Sequence, residues 1–96
     1  MIEMQLKFIS VKDFTRSWQN DFLGQKGLLL PASSRIKLGE KVSLNIAVAG
    51  ETWGRIEATA VWANRDVRKD PDLPAGIFLR SMSSDKDFDR RINALG

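Results

Sequence analysis

The segment from Val42 to Val48 constrains the fold most, because apolar residues alternate in it without exception with polar or small ones. A period of two places every second side chain on the same face, so the segment predicts a β-strand with one buried face. Gly50 and Glu51 follow and predict a hairpin turn, since glycine tolerates the positive φ that tight turns need. A second strand is predicted from Thr52, and its apolar face carries Ile56, Ala58, Ala60 and Trp62.

Further strands are predicted on both sides of this hairpin. The first runs from Met4 to Ser10. The apolar run from Gly27 to Leu30 predicts a short strand that ends at a proline, because proline cannot donate to a ladder. The loop from Pro31 to Glu40 follows, and the last strand is predicted from Ala75 to Met82. Between the hairpin and this last strand, the charged, proline-containing segment from Asn64 to Pro74 predicts an exposed loop.

Two short helices are predicted to flank the strands. Ser10 and Asp13 have the spacing of a capping-box variant, and a helix from Val11 to Gln19 would place Val11, Phe14 and Trp18 on one stripe. Ser84 and Asp87 repeat that spacing near the C-terminus. The helix that follows is too short to be stable alone, so it must pack on the sheet through Phe88, Ile92 and Leu95.

Composition excludes several classes of function. The 96 residues correspond to one domain, 1–96. The absence of cysteine and histidine excludes disulfides, thiolate metal sites and histidine-based catalysis, so we predict neither an enzyme nor a metal protein. No apolar run approaches the ~18 to 20 residues that span a bilayer, and no secretion leader is evident, so we expect a cytoplasmic protein without membrane insertion. The net charge of +3 is too small and too scattered to favour nucleic acid.

The segment from Phe22 to Pro31 resembles the second signature of PilZ domains, the bacterial receptors for the cyclic dinucleotide c-di-GMP. In that signature an Asp or Asn, a Ser two residues later and a Gly three residues further on open a hydrophobic strand. Here Phe22 and Gly24 stand at the first two positions, and only Gly27 matches. Three other stretches are similar to PilZ motifs and follow the same order: Lys37 to Leu44, Ala60 to Trp62 and Gly76 to Leu79.

The resemblance implies a mainly β fold, a small antiparallel PilZ-like β-barrel with a C-terminal helix, here with a further short helix near the N-terminus. A helix directly before the signature turn is most similar to the short PilZ proteins of type IV pilus assembly. For those proteins the resemblance implies contacts with an assembly ATPase and a c-di-GMP receptor. The leading interpretation is therefore a non-enzymatic adaptor in c-di-GMP or pilus-motility signalling that acts through protein contacts without holding the nucleotide.

Nucleotide binding requires groups that this sequence lacks at the expected places. Members that bind c-di-GMP use an Arg-x-x-x-Arg arm upstream of the turn, because guanidinium groups satisfy phosphate oxygens and guanine edges bidentately. The nearest match, Lys12 to Arg16, lies in a predicted helix. We do not favour c-di-GMP as a ligand. A receptor with unconventional basic residues stays open as an alternative, with Arg16, Arg65, Arg68 and Arg80 as its candidates. Another alternative is a small nucleic-acid-binding barrel that stacks bases on aromatic rings.

Aromatic residues are the candidates for contacts with a protein partner. The chain has three tryptophans, a residue type enriched among interface anchors. We expect at least two of them in the core and one exposed, either Trp18 or Trp53, since Trp53 lies beside a hairpin turn. The predicted partner-binding residues are Phe14, Trp18, Phe22 and Trp53.

Overall fold

Six strands and two short helices make up the part of the chain that the structure describes, residues 1–65 and 74–95 of a computed structural model. The prediction of a mainly β protein with a helix near each end is confirmed. In chain order the elements are β1 (Ile2–Phe8), α1 (Val11–Ser17), β2 (Trp18–Phe22), β3 (Gln25–Leu30), β4 (Lys41–Val48), β5 (Glu51–Asn64), β6 (Gly76–Ser84) and α2 (Lys86–Ala94).

The strands form a single mixed sheet in the order β1-β4-β5-β6-β3-β2. Four of the neighbouring pairs are antiparallel, but β1 runs parallel to β4, with Ile2 beside Val42 and Phe8 beside Val48. The prediction of a wholly antiparallel sheet is therefore wrong at its first strand. Parallel neighbours need a long crossover, and the chain between β1 and β4 supplies one through α1, β2 and β3. Within the described residues β1 and β2 are the two end strands and do not pair with each other.

The hydrophobic core lies against one face of this sheet, here called the inner face. Alternate residues of β4 and β5 line it, as the period of two predicts, and Phe14 of α1 and Phe88 of α2 pack onto them. The ring of Phe14 lies 5.0 Å from that of Trp53 and 6.1 Å from that of Phe88, centroid to centroid. Because each fully buried phenylalanine contributes about 1.5–3 kcal/mol, the two short helices are held by packing rather than by their own propensity.

The end of α1 and the start of α2 differ from the sequence predictions because of tertiary contacts. Ser10 caps α1 as predicted, since its Oγ accepts a hydrogen bond from the Asp13 N–H. The helix ends at Ser17, because Trp18 pairs with Leu28 and starts β2 instead. At α2 the cap is Asp85 rather than Ser84.

Asp85 also joins α2 to the sheet. Its Oδ1 accepts from the Phe88 N–H and its Oδ2 from the Arg55 N–H, each at 2.8 Å. Phe88 is buried and Ile92 packs against the core, but Leu95 lies 41% exposed beyond the last turn. The stripe predicted for α2 therefore ends at Ile92. Neither of the two helices in the described residues has the length and apolar composition of a membrane-spanning segment.

Candidate functional site

The hairpin between β2 and β3 turns through two residues in the left-handed region. Leu23 has φ 53° and Gly24 has φ 80°, a pair of positive values typical of a type I′ turn. The Asp21 carboxylate accepts a hydrogen bond of 2.9 Å from the Gly24 N–H and so fastens the turn. Leucine has a Cβ that disfavours positive φ by roughly 1–2 kcal/mol, and here its side chain is 71% exposed. The tip therefore holds a large apolar side chain in water at a conformational cost.

Behind this tip, three aromatic rings pack together on the outer face of the sheet, opposite to the core. Phe22 is stacked on Phe78, with centroids 4.6 Å apart and planes 26° apart. Trp62 meets Phe22 edge to face, with centroids 5.0 Å apart and planes at 70°. Phe78 is fully buried, whereas Phe22 and Trp62 are only half-buried. We call these three residues the outer cluster.

A β-bulge brings Trp62 into the outer cluster. Ala60 pairs with Leu79 and Trp62 pairs with Phe78, so two steps along β5 correspond to one step along β6. Val61 is the extra residue, and the bulge turns Trp62 to the outer face. The prediction that Trp62 shares a face with Ile56 is therefore wrong. The alternation of side chains between the two faces of β5 is interrupted at the bulge. The bulge results from the pairing of β5 with β6, so the local sequence of β5 does not reveal it.

The outer face continues from the cluster along β6 with an arginine and a methionine. Arg80 is two residues from Phe78 on the same face, and both its Nε and one terminal nitrogen lie 3.3 Å from the Met82 sulfur. Met82 is 54% exposed and Val61, at the bulge, is 38% exposed. Arg80, Met82 and Val61 thus place a positive charge and two partly exposed apolar side chains on the two strands that supply Phe78 and Trp62 to the outer cluster.

Gly27 allows β3 to lie close to β6. It pairs with Arg80, and a Cβ atom at this position would overlap the carbonyl oxygen of Leu79 and lie 2.9 Å from its carbonyl carbon. The glycine that matches the PilZ signature therefore has a structural role here, since only glycine permits this approach of β3 to β6.

The structure divides the predicted partner-binding residues between the core and the surface. Phe14 is fully buried and Trp53 is 6% exposed, so the prediction of Trp53 as an exposed anchor is wrong. Its ring packs on Phe14, and Arg91 lies over it at 5.7 Å from the centroid. Trp18 is half-buried against Phe88. Of the four predicted residues, Phe22 alone belongs to the outer cluster.

Trp62 and Phe78 were missed as site residues by the sequence predictions. Phe78 belongs to a strand in which Ile77, Phe78 and Leu79 are all fully buried, so this strand is covered on both faces. An uninterrupted apolar run of this kind is the signal for a doubly covered strand.

The predicted nucleotide-binding arginines have different surroundings. Arg65 donates to the carbonyl oxygens of Ala32, Ser34 and Ile36 and so holds the loop after β3. Arg16 forms an exposed pair with Asp13 at 3.8 Å and borders a cleft that also contains Pro31. Arg16 and Arg65 thus lie near the start of the loop after β3, whereas Arg80 lies on the outer face of β6. Arg68 falls outside the described residues.

Comparisons with known proteins add no family to this description: no family model matches the sequence, and no curated protein is significantly similar to it. Among residues 1–65 and 74–95, no group of three or more acidic side chains is arranged to hold a metal ion. The outer cluster and the hairpin tip are therefore the features from which a function can be argued.

Proposed function

We propose that this chain is a non-enzymatic PilZ-like regulatory adaptor that binds a protein partner through the outer cluster and the hairpin tip. It acts in the cytoplasm, in c-di-GMP or pilus-motility signalling, without holding the nucleotide. The proposal includes the finer fold, a PilZ-like barrel in which α1 packs against β3. A hydrogen bond of 2.9 Å from the Ser17 hydroxyl to the Leu29 carbonyl, which ties α1 to β3, supports that arrangement.

The observation that carries the proposal is the exposed, left-handed Leu23 beside two half-buried aromatic rings. A strained conformation persists where the surrounding structure enforces it and is concentrated at functional sites. Asparagine or glycine would form the same turn without the strain. A leucine at this position is therefore explained by a contact that needs its apolar side chain.

The chemistry of the surface fits a protein partner. Tryptophan, arginine and methionine are enriched in interface cores, and a half-buried ring can anchor a partner with little loss of side-chain entropy. Trp62 and Arg80 supply two of these residue types on one face. The partner is expected to present an apolar segment with an acidic side chain that pairs with Arg80. By the resemblance, the candidates are a type IV pilus assembly ATPase and a c-di-GMP receptor protein.

The position of Phe22 supports an adaptor over a nucleotide receptor. The PilZ signature places a carboxylate or amide at this position, which accepts hydrogen bonds from the ligand, whereas the phenylalanine ring only packs on Phe78 and Trp62. Three of the N–H donors of Arg65 are already engaged with backbone carbonyls. The Arg65 guanidinium therefore stabilises the loop after β3, and these N–H groups are not free to bind a phosphate.

Binding of the purified chain to each purified candidate partner, measured by biolayer interferometry, tests the proposal. Trp62→Ala is expected to weaken binding at least ~10-fold, as truncation of an interface anchor does. Leu23→Asn keeps the turn and removes the apolar side chain, so it is expected to weaken binding without loss of the fold. Leu95→Ala is the matched control, because it truncates an exposed aliphatic side chain just after α2, away from the outer cluster.

Equal binding by all four proteins would contradict the assigned surface. A titration with c-di-GMP separates the receptor alternative from the adaptor. Tight binding that is lost in Arg16→Ala or Arg80→Ala would favour the receptor. Binding to single-stranded DNA that weakens steeply with salt would instead favour the nucleic-acid alternative.

A further inference from the structure

Among the residues that the structure describes, the first strand pairs on one side only, and the backbone polarity of its open edge can be assigned. The Phe8 carbonyl accepts a hydrogen bond of 2.9 Å from the Ala49 N–H, so the backbone groups of Phe8 point toward β4. Along a strand, the N–H and C=O groups of successive residues point to alternate sides. The groups of Leu6 and Met4 therefore also point toward β4, and those of Glu3, Gln5 and Lys7 point to the open side.

The open side of β1 carries exposed side chains and borders a cleft. Glu3, Gln5 and Lys7 are exposed. The cleft, with a volume of about 340 Å³, lies between the last residues of β1 and the end of β3 at Leu30 and Pro31, and it is also lined by Asp13, Arg16 and Ser17 of α1. Unpaired strand edges are templates for pairing with another strand. In the described residues, β1 pairs only with β4.

The sequence of β1 is complementary to itself in the antiparallel direction. If the strand pairs with a second copy about a two-fold axis at Gln5, Glu3 lies opposite Lys7 of the other copy, and Lys7 lies opposite its Glu3. This register pairs odd-numbered residues with odd-numbered ones. They are the residues whose N–H and C=O groups point to the open side, so the register that joins opposite charges also forms the backbone hydrogen bonds.

We infer that this protein forms a symmetric dimer in which β1 pairs antiparallel with β1 of a second copy, centred on Gln5. The two six-stranded sheets become one continuous sheet. On the inner side the same register brings Met4 opposite Leu6 and Ile2 opposite Phe8, which are apolar pairs. A two-fold interface requires a self-complementary surface, and β1 provides one in charge, hydrogen bonding and hydrophobicity.

Glu3 already has a partner within the chain. The Arg55 guanidinium lies 3.4 Å from a Glu3 carboxylate oxygen, and its Nε bonds to Ser43. This contact holds the Glu3 side chain over the outer face of the sheet, the face on which Lys7 also lies. Exposed ion pairs contribute little energy, so the charges select the register while backbone pairing and apolar contacts supply the attraction.

Sedimentation velocity over a range of concentrations tests the dimer by charge reversal. Lys7→Glu places two acids opposite each other at both ends of the interface, and Glu3→Lys places two bases there. Each variant is expected to raise the dimer dissociation constant about tenfold or more. An equimolar mixture of the two variants restores both opposite-charge pairs, so it is expected to form a heterodimer with the wild-type affinity.

Two further variants separate edge pairing from a general effect of charge or folding. Lys26→Glu makes the same change of charge on β3, which three strands separate from β1 in the sheet, and is expected to leave the dimer unchanged. Gln5→Pro removes an N–H that points away from β4, so the circular dichroism spectrum is expected to stay native while the dimer is lost.

Two results would overturn the inference. One is a wild-type chain that stays monomeric up to 1 mM. The other is a dimer that still forms in Gln5→Pro and whose affinity is not restored when Lys7→Glu and Glu3→Lys are mixed. The outer cluster lies on other strands of the sheet. Partner binding is therefore expected to be the same in Lys7→Glu and wild type, and failure of one proposal leaves the other intact.

Discussion

The ring of Phe22 covers that of Phe78, with the two centroids 4.6 Å apart. This contact joins the end of β2 to the first part of β6 on the outer face of the sheet. Phe78 is fully buried, although it points away from the main core, because Phe22 lies over it. The position at which a PilZ signature carries a polar ligand is thus part of the hydrophobic packing in this chain.

Restoring the signature aspartate is expected to damage the fold. Phe22→Asp removes the ring from Phe78 and places a carboxylate against two aromatic side chains. We expect the free energy of unfolding to fall by about 2–4 kcal/mol, measured by urea denaturation. Phe22→Leu keeps an apolar side chain and is expected to cost about 1 kcal/mol. Equal stability of the two variants would show that Phe22 does not pack as described.

Gly27→Ala adds only one methyl group, but we expect it to be strongly destabilising. Its Cβ would overlap the Leu79 carbonyl, which is backbone and can move only if β3 separates from β6. We expect a loss of about 3 kcal/mol or more, as for a severe case of overpacking. Gly39→Ala has open space but a φ of +88°, so it tests backbone strain alone and is expected to cost roughly 1–2 kcal/mol.

Leu23→Asn is expected to stabilise the protein. The backbone at this position has φ 53°, which asparagine adopts more readily than leucine. Thermal unfolding should show an increase in stability of about 0.5–1 kcal/mol. Ile9→Asn, at another highly exposed aliphatic residue, is the control and is expected to show no gain. A higher melting temperature together with weaker partner binding would separate the functional role of Leu23 from a structural one.

Arg65→Lys is expected to behave like Arg65→Ala rather than like the wild type. The guanidinium reaches three carbonyls of the loop after β3, and a lysine ammonium lacks the planar fork that serves such an arrangement. We expect each variant to lose about 1–2 kcal/mol of stability. Hydrogen exchange should be faster across residues 32–36 in both. Protection equal to that of the wild type would contradict the structural role of Arg65.

Trp53→Ala is expected to cost about 3–5 kcal/mol in stability, because Trp53 is a core residue in contact with Phe14. Trp62→Ala, at a half-buried surface position, is expected to cost less and to act mainly on partner binding. Denaturant titration with circular dichroism detection compares the two. The reverse order of stabilities would contradict the assignment of Trp53 to the core and of Trp62 to the surface.

Local patterns predict several elements of this fold well. The alternation at positions 42 to 48 corresponds to β4 within one residue, and the strand before Pro31 ends where the proline requires. Ser10 caps α1 with the hydrogen bond that its spacing from Asp13 predicts. Such features depend on interactions between residues close in sequence, so the sequence alone is sufficient for them.

The candidate site is harder to predict from short-range sequence patterns. The sequence predicts Phe22 as a partner-binding residue, but its stacking on Phe78 depends on a strand far away in the chain. The contribution of Trp62 depends on the bulge at Val61, where pairing with β6 shifts by one residue. A single extra residue moves every later side chain to the other face, and no local pattern indicates where a partner strand will require it.

For this protein, periodicity and caps in the sequence were sufficient to specify a mainly β chain with a helix near each end, because each depends on backbone geometry within a few residues. Three features required contacts between distant segments: the parallel pairing of β1 with β4, the end of α1 at Ser17, and the burial of Trp53 rather than Trp62. In each, a residue's environment is set by the strand or ring that reaches it from elsewhere in the chain, and the free energy of that packing exceeds the local preference.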